Sequence, residues 1–186
     1  MPDANARKGD YRIFVGIFPE GDLANEIHAL REHHDPQTAL KTRPHVTLCG
    51  LFWRHGAAVA ESEAETITNL QAALRVVPAF ELRLGGIDTF GKDVAYIAAE
   101  ATDGMLAARA VCREVLGADR DGFVPHMTIA MRLPKERLLA CAGELRTLKW
   151  HTDRYVLPVP YLSLMQRSRE EPAWRAIAKM PLAATS

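Results

Sequence analysis

The sequence predicts an α+β fold of two pseudo-symmetric lobes, each an antiparallel-rich sheet with helices on its outer face, with a cleft between them. Three observations predict it. The order strand, helix, strand, helix, strand can be read twice along the chain. The two copies keep step, with 81 positions between His45 and His126 and 82 between the strands that begin near Arg12 and Val94. The chain has 186 residues, with 12 glycines and 11 prolines, enough for one large domain or two small lobes sharing a core. Residues 1–10 are polar and read as a flexible N-terminus. Residues 11–186 read as a single bilobal domain with repeat halves over about 11–90 and 91–182.

Each element follows from local pattern. Residues 11–19, YRIFVGIFP, are rich in β-branched and aromatic side chains and close on Pro19, which predicts a strand. Asp22 is a good N-cap for a helix that carries Leu23, Ile27 and Leu30 at helical spacing and dies at His33, His34, Asp35 and Pro36. Residues 44–52, PHVTLCGLF, form the second strand. After Gly56 a helix is marked by Ile67, Leu70, Ala73 and Leu74, with Glu61, Glu63 and Glu65 near its start, where the helix dipole favours acids. Pro78 ends it, and 80–84 returns as a strand before a turn at Gly85-Gly86. The second copy runs through a strand at 94–100, a helix with Met105, Ala108, Val111, Cys112 and Val115 inward, and a strand at 125–131. A helix over about 134–148 and a strand at 160–166 complete it, and 174–179 predicts an additional edge strand.

Composition narrows the function. The 23 basic and 23 acidic residues cancel, so no long-range positive field would draw the protein along a nucleic-acid backbone. Small pieces or ends are the nucleic acid it could handle. The three cysteines, Cys49, Cys112 and Cys141, have no CxxC spacing and read as free thiols of a reducing cytosol. No apolar run approaches a membrane span, so a cytoplasmic protein with no membrane partner is expected. Neither GxGxxG nor GxxxxGK[ST] occurs, which leaves nucleoside triphosphate binding without support. His33-His34 beside Asp35 lacks the spacing of a helix-borne metal pair and reads as a solvated helix end; no metal and no cofactor is expected.

The matched strands share one signature, Pro44-His45-Val46-Thr47-Leu48 and Pro125-His126-Met127-Thr128-Ile129. Alternation along a strand puts His45 with Thr47, and His126 with Thr128, on one face, and the apolar residues on the other. The other five histidines have no Ser or Thr two positions on, so the HxT pattern occurs only where the repeat places it. Two opposed imidazoles suit acid–base catalysis, because the ordinary histidine pKa of about 6.5 keeps both protonation forms available. Two hydroxyls beside them suit a phosphate, whose attacking and leaving oxygens lie in line while its equatorial oxygens accept hydrogen bonds. Alternation also carries Arg132 to the His126 face, where it reads either as a substrate contact or as a solvated strand-end arginine, and Cys49 to the His45 face, where a small buried thiol is the reading rather than a nucleophile. Arg43, just before the first motif, reads either as a contact or as a solvated strand-end arginine. Phe18, Phe52, Trp53, Phe90 and Phe123 read for the most part as core or loop-packing residues, with a base-stacking platform as the alternative for one of them.

At these residues the sequence resembles the two-histidine (2H) phosphoesterase superfamily, and within it the 2′-5′ RNA ligase-like and RNA 2′,3′-cyclic phosphodiesterase branch. The resemblance spans about residues 11–182: RIFVGIFP, RPHVTL, FELRLGGIDTFG, FVPHMTIAMR, and YLSLMQRS with WRAIAKMPL. It implies that His45 and His126 are the acid–base pair and that Thr47 and Thr128 hold the phosphate. It further implies a metal-independent hydrolase of 2′,3′-cyclic phosphate at RNA or nucleotide ends, a monomer, whose reverse reaction would join RNA ends through a 2′,5′ bond. Where related sequences place an arginine directly after the second motif's Ala, here Met131 intervenes before Arg132. Two other readings remain at this stage, a nucleotide-binding module with little turnover that depends on Thr47 and Thr128, and a structural α+β protein whose histidines are incidental.

Overall fold

The computed structural model describes residues 9–119 and 122–184. Its elements run β1 (Tyr11–Ile17), α1 (Asp22–His34), α2 (Pro36–Ala39), β2 (Val46–Arg54), a 3-10 turn (Ala60–Glu63), α3 (Ala64–Leu74), β3 (Phe80–Phe90) and β4 (Val94–Ala99). They continue through α4 (Asp103–Leu116), β5 (His126–Met131), α5 (Lys135–Arg146), α6 (Lys149–Thr152), β6 (Tyr155–Val159), β7 (Tyr161–Ser168) and β8 (Arg175–Pro181). The strand order is β6-β3-β4-β5-β2-β1-β7-β8, with every named pairing antiparallel.

That order is a palindrome under the repeat. β1 corresponds to β4, β2 to β5, β3 to β7 and β6 to β8, so each half-sheet of four strands repeats the other about an axis between β2 and β5. The lobes are not the two sequence halves, however. β3 leaves the first half to pair with β4, and β7 and β8 of the second half pair beside β1. The lobes meet through one paired position, Val46 with Met127. The helices cross as well, α1 packing on β5 and α4 on β2 and β3. One core therefore serves both lobes, with Ile13, Val15, Leu48, Leu82, Ile97, Met105, Met127 and Leu164 among its buried side chains.

Several local expectations are revised. Gly9 and Asp10 are tied down rather than loose: the Asp10 amide donates to the Arg54 carbonyl (2.7 Å), and a Cβ on Gly9 would sit 2.1 Å from that oxygen. Residues 1–8 lie outside the described residues. Asp22 is the first residue of α1, not its cap; Gly21 occupies that position and Asp22 sits in the first turn, where its charge suits the helix dipole. Gly85-Gly86 is not a turn. β3 continues to Phe90 across an irregularity between Leu84 and Ile87, and Gly85, at φ 153°, lets the Asp153 carbonyl approach where a Cβ would be 2.5 Å away. β6 was not apparent in the sequence because Pro158 and Pro160 make that stretch look like loop; at the sheet edge a proline costs no ladder bond.

Candidate active site

The two motif strands lie side by side at the pseudo-two-fold axis. Val46 pairs with Met127 on the core face, and continuing that antiparallel register sets His45 opposite Thr128 and Thr47 opposite His126 on the other face. All four side chains are half-buried on that face, where the two lobes meet and the groove expected from the sequence would open. Both strands then bulge at the residue after the threonine: β1 pairs Thr47 and then Cys49, skipping Leu48, and β4 pairs Thr128 and then Ala130, skipping Ile129. A bulge resets alternation, which corrects two expectations. Cys49 turns into the core, fully buried beside Cys112 and Asp119, and burial pushes its thiol up to about 12. Burial likewise pushes Cys112 to about 12 and Cys141 to about 11. The folded protein is therefore expected to react with a thiol-specific disulfide reagent at pH 8 only as fast as it unfolds; three rapidly titrated thiols would contradict this.

The histidines are held in matching ways. His45 Nδ1 lies 2.9 Å from the Arg43 carbonyl oxygen, and His126 Nδ1 lies 2.8 Å from that of Val124. A carbonyl only accepts, so Nδ1 carries the hydrogen in each ring and Nε2 is left for the groove. Aromatic rings wall both imidazoles. Phe18 stacks on His45 at 5.0 Å and Phe14 tilts against it at 5.1 Å; Phe90 meets His126 edge-on at 4.7 Å and Tyr96 at 5.2 Å. Gly16 makes room for the Phe14 and Phe18 rings, which a Cβ there would meet at 2.9 and 3.1 Å. This apolar wall disfavours the imidazolium form. Burial, with smaller contributions from the Arg31 and His126 charges and against the Arg43 hydrogen bond, lowers His45 to about 4. Burial lowers His126 as well, against the Val124 hydrogen bond.

Beneath the motif face a buried aspartate grips each motif strand, at the first motif as half of an arginine–aspartate ion pair. Arg109 on α4 donates to the Leu48 carbonyl (2.5 Å) and forms a bidentate pair with Asp119 (2.6 and 2.7 Å), and Asp119 accepts from the Gly50 amide (3.2 Å). Burial would raise the Asp119 carboxyl, but the Arg109 and Gly50 hydrogen bonds and the Arg109 and Arg113 charges hold it below 3.8. At the other motif, Asp35 accepts from the Met131 amide (3.0 Å) and caps α2 through Thr38, while Arg31 donates to the Thr42 carbonyl (2.6 Å). Gly50 and Met131 are 81 apart, as the histidines are, so both clamps seize the same point beyond the bulge. The only sequence signal for them is a charge on an otherwise apolar helical stripe, as at Ala24, Ile27, Arg31 and His34.

The remaining predicted residues are placed as follows. Among the described residues neither the Thr47 nor the Thr128 hydroxyl is committed to a protein hydrogen bond. Arg132 does not reach the groove by regular alternation, because the Ile129 bulge and its own φ of 57° break the strand. Its charge nonetheless acts on Arg12. Arg43 is held by Asn25 at 2.7 Å. The helix end at His33-His34 is not solvated throughout: His34 and Asp35 are buried, and Glu144 of α5 joins the two imidazoles there. Phe14, Tyr96 and the clamp residues were not singled out in the sequence, although Phe14 and Tyr96 are 82 apart and mark the repeat.

The sequence profile of the 2′-5′ RNA ligase superfamily matches residues 19–171. A candidate phosphoesterase of Oceanobacillus iheyensis is 26% identical over 146 residues, covering 76% of this chain and 83% of the relative. One of Bacillus cytotoxicus is 27% identical over 150 residues, covering 78% and 84%. The fold is similar to that of Escherichia coli LigT complexed with NADP+, with a TM-score of 0.63 at 18% identity over 92% of this chain and 97% of that one. A Thermus thermophilus protein superposes with a TM-score of 0.62 at 21% identity, covering 94% and 100%. Among the described residues no helix is long and apolar enough to cross a membrane.

Proposed function

The chain belongs to the 2′-5′ RNA ligase superfamily of two-histidine phosphoesterases, and on that premise we propose that it opens 2′,3′-cyclic phosphate at RNA or nucleotide ends, with water as nucleophile. The observation that carries this reading is the pairing of two HxT motifs across one axis, with Nδ1 of each imidazole held by a backbone carbonyl. A nucleotide ligand is in keeping with LigT, whose structures include complexes with ATP, 3′-AMP and NADP+.

His45, the harder of the two to protonate, enters neutral and takes the proton from water through Nε2. The water oxygen bonds to phosphorus as the bond to one ribose oxygen breaks in line with it. His126 Nε2–H delivers the proton to that departing oxygen from the other side of the axis. The Thr47 and Thr128 hydroxyls donate to the equatorial phosphoryl oxygens, where charge gathers in the transition state. A 2′,5′ bond, the product for which the superfamily is named, keeps O2′ on phosphorus, so O3′ is the leaving oxygen and hydrolysis yields a 2′-phosphate. Ligation is the same step with a ribose 5′-hydroxyl in place of water.

The test is hydrolysis of 2′,3′-cyclic AMP in EDTA between pH 4 and 9, with the product identified. Turnover to the 2′-phosphate is expected. Free-enzyme kcat/KM needs one neutral and one protonated ring, so it should fall toward pH 4 and also as the pH rises through the His126 value, which burial holds below 6.5, both limbs belonging to the coupled pair. Saturable binding of the cyclic nucleotide without hydrolysis at any pH would overturn the reading in favour of a binding module.

A further inference from the structure

One row of the first lobe gathers positive charge beside aromatic surface. In the first lobe Arg12 of β1 lies between its cross-strand partners Trp53 on β2 and Arg167 on β7. In the second lobe the row of Val94, Met131 and Phe90 matches that of Phe14, Gly50 and Met165, and the β4–β5 pairing ends there, so the Arg12 row has no paired counterpart. Two like charges directly opposite each other on adjacent strands are destabilising, and Arg12 with Arg167 is such a pair.

The surroundings of Arg12 extend the pattern. Its guanidinium lies over two indoles, 5.0 Å from the centre of Trp53 and 5.4 Å from that of Trp174, and Arg169 lies over Trp53 at 5.2 Å. Arg132, from the end of the second motif strand, adds a further positive charge near Arg12. The cluster is continuous with the histidines, since Phe14 touches both His45 (5.1 Å) and Trp174 (4.7 Å). Asp10 acts on Arg169, while Arg167 donates at 2.8 Å to the neutral backbone carbonyl of Glu171, whose carboxylate is taken by Arg175. Interleaved guanidinium and indole faces are what a single-stranded nucleic acid needs, cations for its phosphates and flat surfaces for its bases.

We propose that Arg12, Trp53, Arg167, Arg169 and Trp174, with Arg132 at its near end, form a strip that binds the nucleotides on the 5′ side of the reacting cyclic phosphate, making short RNA ends rather than mononucleotides the preferred substrate. This rests on the reading of the groove as a cyclic phosphodiesterase. The polarity follows from the substrate: a cyclic phosphate closes the 3′ end, so all remaining chain lies 5′ of it. The strip also fits a chain with no net charge, whose hold on RNA must be short.

The experiment compares kcat/KM for 2′,3′-cyclic AMP and for a tetranucleotide ending in a 2′,3′-cyclic phosphate, in the wild type and in R12A, R167A and W53A. In parallel, anisotropy measures binding of a labelled tetranucleotide ending in a 3′-phosphate, which cannot turn over by ring opening, and thermal melting checks each fold, with R12Q as a milder second variant. The wild type should favour the tetranucleotide about tenfold or more. The variants should lose that preference and bind the labelled strand correspondingly more weakly, with 2′,3′-cyclic AMP hydrolysis within about twofold of wild type. The slope of log affinity against log salt should become shallower by about 0.7 for each arginine removed. Equal kcat/KM for both substrates, or tetranucleotide binding that the folded variants leave unchanged, overturns the strip. Failure of the proposed reaction is distinct: no hydrolysis of either substrate by the wild type, with the binding arm still deciding the strip.

Discussion

Replacing His126 with alanine is expected to lower kcat on 2′,3′-cyclic AMP by about 10²–10⁴-fold, and His45→Ala to do the same. Both rings stand on the groove face, and neither belongs to the buried core, so melting temperatures should change little. The asparagine variants are the sharper controls. An asparagine amide can still donate to the Arg43 or Val124 carbonyl, as Nδ1–H does, but it transfers no proton, so it preserves the local fold and remains inactive. The double variant should be little worse than either single one, because an acid without its base no longer accelerates a concerted step. Retention of more than a tenth of wild-type kcat in either folded single variant contradicts the mechanism. Both Nε2 atoms would then have to be spectators of a reaction that the threonines and the groove alone support.

Those two histidines were legible in the sequence because the repeat and the chemistry coincide: one offset relates them, and the Pro-His-x-Thr pattern occurs nowhere else. The strands and helices were legible for the ordinary reason that apolar periodicity reports which face is buried. What periodicity does not carry is pairing. Nothing local says that β3 leaves its own half for β4, or that β7 returns to β1. Bulges are equally silent, since Leu48 and Ile129 are apolar residues in apolar strands. Yet each bulge decides where the following side chain points, and that is why Cys49 lies in the core and Arg132 leaves the strand. The clamps depend on contacts 61 and 96 residues apart in the chain, and the Arg12 row depends on pairings of β1 with β2 and β7 that no local pattern reports.

The second large effect is expected at the clamp under the first motif. Asp119→Ala leaves the Arg109 guanidinium buried and without its bidentate partner, and removal of one member of such a pair costs about 3–5 kcal/mol. Urea unfolding should show that loss. Replacing both residues with apolar ones, R109M/D119L, should recover part of it, because no uncompensated charge remains. Activity should not recover in parallel. The Leu48 carbonyl and the Gly50 amide lose their partners in the double variant, and with them the geometry of the strand that carries His45 and Thr47. The pH dependence has a defined sign. Pairing holds the Asp119 carboxyl below its unfolded value of 3.8, so its contribution is fully present above that pH and is lost as the pH falls through the folded value. Wild-type stability should accordingly drop more steeply in this acid range than that of D119A. Identical acid limbs for the two proteins, or full activity in R109M/D119L, would show that the pair neither stabilises the fold nor positions the motif.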